Sequence, residues 1–348
     1  WQEGMAPGST TQTTPAGYGT QISTKLPGSP TAIGFDFYSP GGPSMKSWNT
    51  ATQAYVAPAN TTSLGIANPS GYMIFVRGDR TQAGASGSSA TILRTRGQLL
   101  TGNQTAINIP AGKDVSIGNP YASALDMRST IIPAQSVQTF YIWDPRLTGN
   151  YNLGGFRAFT KVGSDWVSTP GGGAYGGHPN FIPSGQAFFI KGGATAGNLT
   201  INENSKGDDS YTATFVAEKP QLLRANLFIR EGNELTLTDG VLMHYQDGFN
   251  DGIDSKDAPK LKNLSEVVSI KLANKLYAVM QKSPVIDADT IFLNIEMMKA
   301  RNYSWAINTG NMDLEGRRAW LIDNYTQTKT PLLLQGNTRI DFNIANNP

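Results

Sequence analysis

Short aromatic and β-branched runs stand between Gly, Pro and Asn punctuation along most of this chain. That pattern predicts a sheet protein with tight corners. The densest part runs from Val115 to Gly192. It holds Phe140-Tyr141-Ile142-Trp143-Asp144-Pro145, then Gly154-Gly155-Phe156, then Ile182-Pro183-Ser184-Gly185-Gln186-Ala187-Phe188-Phe189-Ile190-Lys191. Upstream, the glycine-bounded run Gly71 to Gly78 predicts a buried core strand, and Thr31–Tyr38 and Trp48–Val56 predict further strands. Ala90–Leu99 and Thr105–Ile109 predict a hairpin turning at Gly102. Asn119-Pro120-Tyr121 opens the one helical segment expected before residue 250, through Ala122 to Met127.

The second half alternates more cleanly. Strands are predicted at Leu222–Ile229, Glu234–Met243, Val267–Leu272, Leu276–Met280, Thr290–Ile295, Tyr303–Ile307, Arg318–Ile322 and Arg339–Ile344. A helical turn is expected at Asp257–Leu264. Spacings of about ten residues with turn signals between them point to an all-β sandwich. The polar stretch Asn204–Ser210 divides the chain into two consecutive β-sandwich-like domains, 1–205 and 206–348. Gly71–Gly78 and Gly185–Gly192 share one pattern, which predicts two strands in related places.

Composition narrows the function classes. Charged residues are 16%, below the roughly 25% usual for soluble domains, while Gly 38 and Pro 20 are high. Polar surface must come from Ser, Thr, Asn and Gln, which suit turns and sheet faces. Net charge is +2, so no basic field exists to hold nucleic acid. Cys 0 excludes disulfides, thiolate catalysis and zinc–thiolate sites. No run of 18 apolar residues predicts a membrane-spanning helix. The chain opens Trp1-Gln2-Glu3, and Trp1 reads as an internal residue of a longer precursor.

Candidate chemistry is sparse. His178 lies in a glycine-rich loop and His244 ends a strand, with no acid at metal spacing beside either. The loop Asp247, Asn250, Asp251, Asp254, Asp257 puts five oxygen side chains in eleven residues. It has two readings. It wraps a calcium ion, which takes irregular oxygen-rich loops, or its Asp residues make Asx-turns and caps. Asp126, Asp144, Asp165 and Glu203 are the acids available for a glycosidase pair, but Asp126 and Asp144 read as turn or capping residues. Tyr141, Trp143, Trp166 and Tyr175 are the candidate ligand or partner contacts. As a sugar-stacking platform their rings must be exposed; as core they must be buried.

In order, Gly71-Tyr72-Met73-Ile74-Phe75-Val76-Arg77, Gly118-Asn119-Pro120-Tyr121-Ala122-Ser123, Phe140–Pro145 and Ile182–Ile190 resemble β-rich modules near the C-terminus of large surface proteins secreted by Bacteroidetes through the type IX system. Leu223-Arg224-Ala225-Asn226-Leu227, the run Asp251–Leu261 and Asp289-Thr290-Ile291-Phe292-Leu293-Asn294 add to the likeness. The resemblance covers roughly residues 70–348 and implies a sorting domain removed after export. It also implies an extracellular, cell-surface location. The expected function is a non-enzymatic structural or adhesive module, without cofactor unless the acidic loop takes calcium. Its partners are expected to be further copies of itself, other surface proteins or polysaccharide. The competing expectation is a carbohydrate-binding module of a secreted hydrolase.

Overall fold

The computed structural model describes residues 20–21, 45–56, 69–74, 78–79, 99–145, 147, 154–171, 179–207, 221–261, 263–285, 288–312 and 316–345. The described elements are strands and one 3-10 turn, so the protein is all-β. The first strands are β1 (Thr20–Gln21), β2 (Met45–Asn49), β3 (Ala54–Val56), β4 (Tyr72–Ile74) and β5 (Gly78–Asp79). Next come β6 (Ile107–Ile109), β7 (Asp114–Gly118), β8 (Ala124–Asp126), β9 (Thr139–Asp144), β10 (Gly155–Val162), β11 (Asp165–Thr169), β12 (Phe181–Ile182), β13 (Ala187–Lys191), β14 (Gly197–Leu199) and β15 (Lys206–Gly207). The chain then forms β16 (Gln221–Glu231), β17 (Glu234–Tyr245), β18 (Ala258–Pro259), β19 (Val267–Leu272) and β20 (Lys275–Lys282). It ends with β21 (Leu293–Glu296), β22 (Arg301–Gly310), β23 (Ala319–Asp323), β24 (Thr328–Leu332) and β25 (Gly336–Ile344).

Two sheets organise the molecule. The smaller has the order β11-β10-β9-β13-β7. One of its faces packs Phe140, Ile142, Phe159, Trp166, Phe188 and Ile190 against Ile109, Leu125, Ile182 and Leu199 from the short sheets β12-β8-β15 and β14-β6. Phe140 and Phe159 stack there at 4.7 Å. The opposite face carries Tyr141, Ala158 and Phe189 into a second apolar layer. That layer is completed by Leu242, Ala258, Ala278 and Val279 from the other half of the chain. Strand β9 is therefore covered on both sides, which is why its apolar residues run on without alternating.

The larger sheet has eight strands in the path β21-β19-β20-β17-β16-β22-β25, with β18 beside β20. Only β17 and β20 run parallel; the rest of the ladder is antiparallel. One face buries Ala225, Leu227, Ile229, Tyr303, Trp305 and Ile307, partly roofed by the β23–β24 hairpin through Leu321 and Leu332. The other face meets the first half over β17 and β20. Polar bonds stitch this seam: the Tyr141 hydroxyl donates to the Pro259 carbonyl at 2.9 Å, and the Phe156 N–H donates to Asn263 Oδ1 at 2.8 Å.

Several expectations need correction. Residues Ala122–Met127 are not helical; Ala124–Asp126 is β8, held between β12 and β15. Leu125 is fully buried there, so an apolar slot between strands outweighs modest helix propensity. Asp257–Leu264 opens as β18 and not as a helical turn. Strand β6 pairs with β14, about ninety residues on; residues 90–98, the expected hairpin partner of Thr105–Ile109, lie outside the described residues. The two echoing segments are not equivalent. Strand β13 is flanked by β9 and β7, whereas β4 is the edge of the small sheet β3-β2-β4. Thr31–Tyr38 also lies outside the described residues.

Candidate functional site

Three neighbouring strands, β16, β22 and β25, present alternate side chains to two faces of the sheet, most regularly in β25. Their apolar positions turn into the core. Their other positions form a polar face, because the period of a strand is two. Register places Arg224 beside Asn308 and Asn308 beside Asn337. The next row is Asn226, Ala306 and Arg339, and the row after it is Phe228, Ser304 and Asp341. Asn302, Asn308, Asn337, Arg339, Asp341 and Asn343 are all exposed. The first half of the chain covers the sheet over β17 and reaches β16 through Ser168 and Gly171.

Much of this face is bonded to itself. Asn343 Nδ2 donates to Asn302 Oδ1 at 2.9 Å, Arg339 Nε donates to Ser304 Oγ at 3.2 Å, and Arg230 pairs with Asp341 at 2.8 Å. The row nearest the seam differs. Here β11 overhangs the sheet and leaves a groove of about 440 Å³ lined by Trp166, Ser168, Arg224, Asn226, Asn308 and Asn337 among others. Arg224 donates one bond, from NH1 to the Ser168 carbonyl at 2.6 Å. Asn226 Nδ2 donates to the Gly171 carbonyl at 2.8 Å. A Cβ at Gly171 would lie 2.4 Å from the Arg224 guanidinium, so the absence of a side chain at 171 makes room for that cation. Burial and the nearby Arg157 push Arg224 down to about 10, where it still carries its charge at neutral pH.

A larger cleft of about 920 Å³ opens elsewhere on the seam, lined by Lys191, Lys260, Lys275, Asp254, Asp257 and Glu296 among others. Several of its ions already have partners. Lys260 pairs with the buried Asp239 at 2.6 Å, and Lys191 pairs with Asp114 at 3.2 Å. Burial pushes the Asp239 carboxyl up, against the downward pull of Lys260.

The residues singled out from sequence fall as follows. In the acidic loop, Asp257 is buried and accepts backbone N–H bonds from Gln281 and Asp254, both at 2.9 Å. Asp251 accepts from the N–H and hydroxyl of Ser283, Asn250 from Gly252, and Asp254 from the N–H of Lys256. Among the described residues no three acids or histidines gather as metal ligands. Four of the five residues of the loop Asp247, Asn250, Asp251, Asp254 and Asp257 thus accept bonds from the chain itself, as Asx-turns and caps do. Tyr141 and Trp166 are buried, so neither offers a ring face to a ligand. Trp143 is half-buried and packs edge-to-face on Phe156 at 5.0 Å. Tyr175 and His178 lie outside the described residues. The four acids weighed as a glycosidase pair each bond a local partner: Asp126 to Arg128, Asp144 to Arg157, Asp165 to Asn180 and Glu203 to Lys206.

His244 is buried, with neither ring nitrogen partnered among the described residues and Phe249 edge-on at 5.0 Å. Burial pushes it down to about 4. The unfolded chain, with an ordinary value near 6.5, then binds this proton more readily than the folded protein. Stability from this group is complete above about pH 6.5 and is lost as pH falls toward 4, by up to about 3 kcal/mol. His244→Leu is expected to flatten that decline in urea midpoints measured from pH 7 to 4. An unchanged acid slope would assign the decline to other groups.

Sequence reading missed Arg224, Asn226, Asn308 and Asn337. Alternation marks each as facing away from an apolar side, but nothing local shows that they stand side by side. Fold and site together define an all-β protein of packed sheets with a polar sheet face open to solvent. Compared with known proteins, the chain matches no family model, no curated protein and no solved structure.

Proposed function

We propose that this chain is a non-enzymatic structural or adhesive module of an extracellular bacterial surface, and that copies join edge to edge. One observation carries the reading. The eight-stranded sheet ends at both sides without a further strand among the described residues. At one end stands β25, nine residues long and alternating between half-buried and exposed. At the other stands β21. An uncovered strand edge presents unpaired N–H and C=O groups, a template for another chain.

Apolar side chains flank both edges. Ile322, Tyr325 and Leu333 are exposed around the β23–β24 hairpin that roofs the β25 end. Phe292, Ile295 and Met297 are exposed around β21. Pairing β25 of one copy with β21 of the next is a head-to-tail contact, and such contacts propagate into filaments when they do not close into rings. The polar, low-charge surface suits repeated contact between copies.

Light scattering across a concentration series tests this directly. The apparent mass is expected to rise with concentration, and excess peptide of the sequence 336–344 is expected to cap the edge and lower it. Single chains at every concentration, indifferent to the peptide, would refute the assembly.

A further inference from the structure

We infer that the groove at the seam end of the polar face binds a carboxylate-bearing saccharide, a uronic-acid unit of an acidic polysaccharide, with Arg224 taking the carboxylate and Asn308 and Asn337 the ring hydroxyls. The inference starts from an unbalanced charge. Arg224 has five N–H donors to satisfy, and NH1 donates to the neutral Ser168 carbonyl. Among the described residues no carboxylate pairs with it. Its charged neighbour is another guanidinium, Arg157, whose own carboxylate is Asp144. A half-buried cation short of a counterion is costly to keep. A ligand carboxylate supplies that counterion, and the guanidinium fork matches it with two parallel bonds.

The rest of the lining selects the class of ligand. Among the described residues it contains no acid to repel an anion. Asn308 and Asn337 stand in the same row as Arg224 on successive strands, both exposed. Neighbouring strands lie about 4.8 Å apart, a step comparable to the breadth of a sugar ring. Each amide offers both a donor and an acceptor, which suits hydroxyl groups that also do both. The groove volume of about 440 Å³ falls within the range of small-ligand clefts.

An acidic peptide fits less well. Strands β16 and β22 are paired on both sides, so a peptide finds no strand edge between them where Arg224 and Asn308 stand. Among the described residues the apolar part of the lining is Val167, Pro179, Ala306 and the buried Trp166. A ligand dense in its own hydroxyls uses this surface better than an extended chain does.

Titration calorimetry on the full chain tests the proposal. The probes are short oligomers of galacturonate, glucuronate and mannuronate, the methyl ester of each, and a glutamate-rich peptide. At least one uronate is expected to bind, and its methyl ester about tenfold more weakly. Arg224→Gln is expected to lose about the same factor. Arg224 is packed at the seam, so Asn337→Asp gives an independent variant. It leaves Arg224 in place, sits at an exposed position and sets a fixed negative charge in the row. It too is expected to lose about tenfold, with an unchanged melting temperature. Equal binding of acid and ester overturns the role of the carboxylate. Unimpaired binding by Asn337→Asp overturns the location. Binding of the peptide with no uronate overturns the saccharide, and silence from every probe overturns the site.

Discussion

Asp144→Ala is expected to destabilise the protein by about 3–5 kcal/mol, the cost of leaving a buried charge without its partner. Arg157 is 1% exposed and Asp144 3%. The carboxylate accepts from Arg157 Nε at 2.5 Å, and the same guanidinium also donates to the Pro170 carbonyl. Strands β9 and β10 set the two side chains on adjacent strands near one end of the smaller sheet, where water is excluded. Removing the carboxylate cannot be repaired by solvent. Asp144→Leu combined with Arg157→Met removes both charges and is expected to recover much of the loss, because an apolar pair of similar volume needs no counterion. Urea unfolding of the single and double variants measures both terms. A single variant within about 1 kcal/mol of the parent would mean that water reaches Arg157.

Gly193→Ala is expected to cost about 4 kcal/mol or more, placing it among exceptional single substitutions. A Cβ at that position would lie 1.8 Å from the Gln135 carbonyl oxygen, a backbone atom with no rotamer to change. Gly192 is as tight, at 1.9 Å from the Pro110 carbonyl oxygen. The close approach is built by hydrogen bonds on either side: Gly112 N–H donates to the Gly193 carbonyl and Val137 N–H to the Lys191 carbonyl, both at 2.9 Å. Gly185→Ala is the comparison. Its φ is +75° with open space around it, so only the left-handed backbone resists, at a cost of about 1 kcal/mol. Melting curves of the two variants should separate them widely; similar losses would mean that backbone conformation, not contact, governs both sites.

These two cases show what sequence alone carried. The glycines around Phe188-Phe189-Ile190 mark where a strand stops, but not which carbonyl they press against. Asp144, followed by Pro145, reads as a turn residue, yet it closes β9 as half of a buried ion pair. Its partner Arg157 sits in a run, Phe156 to Phe159, that shows one charge and no hint of where that charge is answered. Tyr141 and Trp166 were legible as important aromatics, and their two possible environments could not be told apart, since an exposed platform and a core both use rings at strand spacing. The acidic loop was legible as a cluster of oxygens. Whether they converge on an ion or turn back on their own N–H groups depends on where Gln281 and Ser283 stand, and these residues belong to and follow a strand more than twenty residues away.

What the sequence determined by itself was the all-β class and the positions of most second-half strands, because alternation is a local signal with a period of two. It also determined that the outer positions of those strands are polar. Tertiary structure alone decided which strands are neighbours. Strand β22 lies beside β16 across about seventy residues of intervening chain, and β25 lies beside β22, so Arg224, Asn308 and Asn337 form one row that no stretch of sequence contains. Sheet neighbours are chosen by how apolar faces close over one another, and that closure also left Arg224 at the seam without a carboxylate among the described residues.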